Sequence, residues 1–201
     1  MSRDLARRVS AEAVGTAMLV AVVVGSGIAA QRLSPADIGL QLLENAAATG
    51  AGLVALILAF GSVSGAHFNP VVTLADRALG GTTTHDAVAY VVAQIAGACA
   101  GCVIANVMFG LPAVGMSEHV RSSGALWTSE GVATFGLLVV IFGVVRSGRS
   151  GLAPFAVGGY ITAAYWFTSS TSFANPAVTI GRTLSNTFAG IAPSKIGRAH
   201  V

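Results

Sequence analysis

Ser64-Gly65-Ala66-His67-Phe68-Asn69-Pro70-Val71-Val72-Thr73 and Phe173-Ala174-Asn175-Pro176-Ala177-Val178-Thr179 decide how this chain folds. Asn is a strong helix N-cap, and Pro suits the first helical position because its missing N–H has no helical partner to lose. One Asn-Pro pair alone marks an ordinary helix start. Here each pair opens a short segment, Asn69–Leu79 and Asn175–Phe188, with room for only half a membrane. Around them run five long apolar stretches: Val9–Ala30, Gln41–Phe60, Asp86–Phe109, Trp127–Val145 and Leu152–Ser170. Each approaches the ~20 residues that cross a bilayer as helix.

The order is span, span, short helix, span, and then span, span, short helix. The first and fourth spans open alike, with Glu12-Ala13-Val14-Gly15-Thr16 matched by Glu130-Gly131-Val132-Ala133-Thr134. An odd number of spans per repeat gives the two halves opposite topology. The expected fold is therefore an all-α membrane protein built as an inverted repeat, with five transmembrane helices and two re-entrant half-helices. Residues 1–124 form the first repeat and 125–194 the second.

Composition agrees with a bilayer as solvent. Of the 201 residues 54% are hydrophobic and only 9% charged, whereas soluble domains carry about 25% charged residues. The net charge of +3 comes from single arginines at segment ends, an orientation signal and not a nucleic-acid patch. Arg3, Arg7, Arg8, Arg77, Arg146 and Arg149 fall on one side and Arg32, Arg121 and Arg182 on the other, which predicts a cytoplasmic N-terminus. Cys99 and Cys102 lie inside an apolar run and read as packing residues, not as a disulfide framework. Gly97 and Gly101 form a Gly-x-x-x-Gly helix-packing pair.

Irregular backbone at membrane depth is tolerated only where it is buried or lines a watery cavity. Two loops entering from opposite faces bring both half-helix starts to the midplane. Helix N-termini carry partial positive charge, which repels cations. The Asn69 and Asn175 amides can donate to a passing oxygen, and the carbonyls of residues 65–68 and 171–174 offer acceptors. Such a path serves a small uncharged hydroxylated solute and rejects ions. The four histidines lack metal-ligand spacing, and no nucleophile–base set is visible. No cofactor or enzyme activity is expected.

These motifs resemble the major intrinsic protein family, the aquaporins and aquaglyceroporins, over residues 8–193. The resemblance implies six tilted helices plus two half-helices in a homotetramer with one pore per subunit. It implies that Asn69 and Asn175 are midpore donors, that Glu12 and Glu130 are buried carboxylates accepting loop N–H groups, and that His67 braces the first loop. Against these stand plainer readings: Glu12 as an interfacial charge near Arg8, and His67 as an ordinary packing histidine.

Two positions depart from the family pattern. Val71 replaces Ala in the first motif, and Val178 stands where water-selective members carry the arginine of the outer constriction. The other constriction candidates are Thr49 or Ala51, Tyr165 or Ala163, and Ser172. Without that arginine the pore favours bulkier neutral solutes. The wording around the second motif resembles bacterial channels associated with arsenic resistance, implying an inner-membrane channel for metalloid hydroxides such as arsenous acid and polyols such as glycerol. A general water and glycerol facilitator is the alternative within the fold, and a secondary transporter the alternative outside it. Glu12 and Glu130 sit near span starts, away from a midplane coupling site, which disfavours the transporter. Arg182 is expected to face the mouth or the headgroups. The repeat calls for one more span after Pro193, and residues 195–201 read as a non-native tail resembling sequencing-adapter read-through. On that view the second half-helix is the less covered of the two.

Overall fold

A computed structural model describes residues 2–121, 123–169 and 173–193. Ser172, the end of the fifth expected span at Ser170, and the expected tail at 195–201 lie outside the described residues. The helices are α1 (Arg3–Leu33), α2 (Ile38–Ser64), α3 (Pro70–Ala78), α4 (Thr84–Met108), α5 (Gly124–Arg146), α6 (Ala153–Phe167) and α7 (Pro176–Arg182). Four of them, α1, α2, α4 and α5, are long and apolar enough to cross a membrane. α6 has 15 residues after a 3₁₀ turn at Ser150–Leu152, about 22 Å of helix, somewhat short of the hydrocarbon thickness.

Side-chain caps start most of these helices. Ser2, Asp37, Thr83 and Ser123 accept from backbone N–H groups of the first turns of α1, α2, α4 and α5. Large apolar side chains such as Val92, Phe135 and Trp166 stay exposed on the outer surface, as expected where lipid and not water is the neighbour. α1 and α4 pack closely through Gly97 and Gly101, which lie against the Ala13 and Ala17 carbonyls. A Cβ at either glycine would overlap that backbone.

α3 and α7 are the two half-helices. The first matches its expected extent within a residue or so. The second is shorter than expected, ending at Arg182 instead of continuing to Phe188. The segment after it carries Ser185, Asn186 and Thr187, whose side chains compete with helical hydrogen bonding. Here the Thr183 and Leu184 carbonyls accept from Ser117 and Gly115 N–H in the loop between α4 and α5. Ser185 Oγ donates to Asn106 Oδ1 (2.7 Å), and Asn186 Oδ1 accepts from Glu118 N–H (3.1 Å). α4 packs along the half-helix, with Gly181 against the Ala98 carbonyl. Ala177, Val178, Thr179, Gly181 and Arg182 of α7 are all buried, against Pro70, Val72 and Thr73 of α3. The expectation that the second half-helix is the less covered is therefore overturned.

A candidate permeation path between the half-helices

The two half-helix starts touch. Asn69 Nδ2 donates to the Ala174 carbonyl and Asn175 Nδ2 to the Phe68 carbonyl, both at 2.7 Å. Each asparagine also caps its own helix. Asn69 Oδ1 accepts from Val71 N–H, and Asn175 Oδ1 accepts from Ala177 and Val178 N–H. An amide nitrogen carries two hydrogens. One is spent across the pair, and the other has no protein acceptor among the described residues.

The residue before each asparagine is strained. Phe68 has φ 48° and Ala174 φ 42°, in the left-handed region, which non-glycine residues seldom adopt. A carboxylate holds each of them. Glu130 accepts from Phe173 N–H (3.0 Å) and Ala174 N–H (2.7 Å). Glu12 accepts from His67 N–H (3.0 Å), Phe68 N–H (2.7 Å), Ser64 Oγ (2.6 Å) and Gln94 Nε2 (2.8 Å). Both carboxylates are buried. The interfacial reading of Glu12 does not hold: Arg8 pairs with Asp4 and Asp86 instead.

His67 Nδ1 lies 3.1 Å from Thr73 Oγ1, and its ring meets Tyr90 edge-on at 5.5 Å. Thr73 Oγ1 in turn donates to the Asn69 carbonyl and accepts from Gln94. His67 is thus tied into the scaffold of the first loop while also lining the cavity between the halves.

That cavity holds about 200 Å³. Its wall runs from Asp76, Val145 and Ala153, at the face where α1 begins, past Asn69 and Asn175, to Thr49, Tyr165, Val178 and Arg182 towards the opposite face. On each half-helix the lining residues are spaced i, i+3, i+7: Asn69, Val72, Asp76 and Asn175, Val178, Arg182. That spacing is one helix face. The Thr49 and Tyr165 hydroxyls lie 3.2 Å apart. The alternatives Ala51 and Ala163 are exposed on the outer surface. Glu12 and Glu130 do not line the cavity; they sit behind its loops.

The position of Arg182 corrects the expectation that it faces the mouth or the headgroups. It is only 2% exposed, donates through Nε to the Ala189 carbonyl, and stacks with Cζ 3.9 Å from the centre of the Phe173 ring. The Phe173 side chain, as distinct from its carbonyl, is not singled out by the sequence. Aligning the repeats on their asparagines makes it the counterpart of His67, and that alignment is the signal that would have found it.

The profile of the family described as "Major intrinsic protein" matches residues 1–190. The chain belongs to the major intrinsic protein family. It is 54% identical over 193 residues to the aquaglyceroporin AqpS of Rhizobium meliloti, covering 96% of this chain and 82% of that one. It is 32% identical over 219 residues to the probable aquaporin AqpM of Archaeoglobus fulgidus, covering 95% and 88%. The aquaglyceroporin structure from Plasmodium falciparum superposes with a TM-score of 0.71 at 22% identity, over 92% of this chain and 88% of that one, a likeness of fold. As a major intrinsic protein the chain is an integral membrane channel for small neutral solutes, and not an enzyme.

Proposed function

We propose that this major intrinsic protein passes neutral metalloid hydroxides, such as arsenous acid, and polyols, such as glycerol. It does so as a homotetramer in a bacterial inner membrane with the N-terminus in the cytoplasm. The resemblance to AqpS, whose name describes an aquaglyceroporin, supports the glycerol part of this reading. The observation that carries the substrate class is the wall of the cavity beyond the asparagine pair. There a short apolar side chain, Val178, shares the lining with the Thr49 and Tyr165 hydroxyls. A solute with several hydroxyls can exchange hydrogen bonds with that pair and turn its carbon or metalloid centre to the valine. A water molecule gains little from the apolar wall. Asn69 and Asn175 then offer their second amide hydrogens at the midpoint.

Selection by such a wall is modest. Pocket contacts of this kind discriminate by roughly 10–200-fold. Replacing Val178 with Arg fills the lining with a long charged side chain. On this reading Val178→Arg lowers glycerol and arsenous acid permeability on the order of tenfold, while water permeability changes much less. Stopped-flow permeability of liposomes carrying each protein measures this. Equal loss of all three solutes would mean that the residue serves folding and not selection.

A further inference from the structure

Arg182 is a buried cation that forms no ion pair among the described residues. The pairs formed there join Arg7, Arg8 and His85 to Asp4 and Asp86. Its one hydrogen bond among those residues runs from Nε to the Ala189 carbonyl. The two terminal nitrogens have no protein acceptor there, and the residue lines the cavity. A guanidinium carries five donors in a fixed fork. Leaving a buried charge without compensating partners is costly, so its outward donors must be met by what fills the cavity.

The mounting is rigid. The Phe173 ring lies against the guanidinium at 3.9 Å, and the Phe173 N–H is itself fixed by Glu130. Ala189, which accepts from Nε, sits in a loop held by Arg121, whose Nε and Nη2 donate to the Gly190 and Phe188 carbonyls at 3.1 and 2.9 Å. Arg182 also lies four residues after Val178, on the same helix face, hence about 6 Å further along the axis. The position seven residues after the first asparagine, Asp76, lines the opposite end of the same cavity. The internal repeat thus sets a carboxylate at one end and a guanidinium at the other.

We propose that Arg182 is the specificity-determining cation of this channel, its terminal guanidinium nitrogens donating to the oxygens of polyhydroxylated neutral solutes and its charge barring cations. The inference rests on the channel reading and deepens it. A solute leaving the guanidinium next meets the Thr49–Tyr165 hydroxyls and Val178, so one with several oxygens can keep a partner throughout. The charge sits one turn away from Val178, which leaves the valine level of the path wide and still guarded.

The test compares the unaltered protein with Arg182→Met and Arg182→Lys in liposomes, reading glycerol permeability and potassium and proton leak. Arg182→Met should raise cation leak about tenfold or more and lower glycerol permeability severalfold. Arg182→Lys keeps the charge but loses the planar fork stacked on Phe173. It should restore cation exclusion and leave glycerol permeability reduced, a split that a purely structural arginine would not produce. If Arg182→Met does not assemble, the lysine variant decides alone: reduced glycerol permeability with intact exclusion supports the proposal. Unchanged leak and unchanged glycerol permeability in Arg182→Met, or an unaltered glycerol permeability in Arg182→Lys, overturns it. Failure of the channel reading itself looks different: the unaltered protein would then pass no glycerol above empty liposomes.

Discussion

Glu12→Ala should leave no stably folded channel. The carboxylate gathers four donors, and two of them, the N–H groups of His67 and Phe68, belong to a loop with left-handed φ at Ala66 and Phe68. Removing it strands buried donors at ~1–3 kcal/mol each and takes away the acceptor that holds the two N–H groups beside the strained Phe68. The combined cost, about 4 kcal/mol or more, is comparable with the whole stability of many domains. Glu130→Ala likewise removes the acceptor of the Phe173 and Ala174 N–H groups and should also lower stability. Thermal unfolding in detergent, followed by size-exclusion chromatography, measures both. A Glu12→Ala protein that stays monodisperse with an unchanged melting temperature would show that the loops are held by something else.

The second large effect concerns function without folding. Asp caps a helix about as well as Asn, so Asn175→Asp keeps the acceptor for the Ala177 and Val178 N–H groups. It deletes the amide donor, setting a carboxylate oxygen where Nδ2 now faces the Phe68 carbonyl at 2.7 Å. It also puts negative charge at the middle of the path, where neutral solutes gain nothing and cations are welcomed. Glycerol permeability should fall by about tenfold, the scale of one net hydrogen bond lost, and cation leak should rise. Asn69→Asp should act in the same direction, because Asn69 bonds the Ala174 carbonyl in the same way. A variant that folds, keeps its glycerol flux and stays tight to cations would remove the asparagines from the mechanism.

Much of this was readable from the residues because the repeat is explicit in them. Asn-Pro occurs twice, and Glu12 and Glu130 stand at matching places. An inverted repeat with two short helices then brings the asparagines together almost by necessity. The register of the constriction was not readable. Thr49 and Ala51 are both small and both in an apolar run, and only packing of α2 against α6 decides that Thr49 meets Tyr165. The end of α7 is not legible because the carbonyls that follow it, on Thr183 and Leu184, are captured by Ser117 and Gly115, more than sixty residues away in sequence. Arg182 was misjudged for a related reason. A charged residue near a helix end ordinarily snorkels to water, but here Phe173 and Ala189 hold it inside. The burial that fixes the side chain in the cavity wall is tertiary.

The central claim, a passive path for small uncharged hydroxylated solutes between the two half-helices, is tested most directly by stopped-flow uptake into liposomes carrying the protein. Glycerol and arsenous acid at neutral pH, each with and without an imposed potassium or proton gradient, are the solutes to compare. The account predicts faster entry of both than into protein-free liposomes, at rates the gradients do not change, with no accompanying cation leak. Uptake that appears only when an ion gradient is imposed, or that carries charge across the membrane, would contradict it.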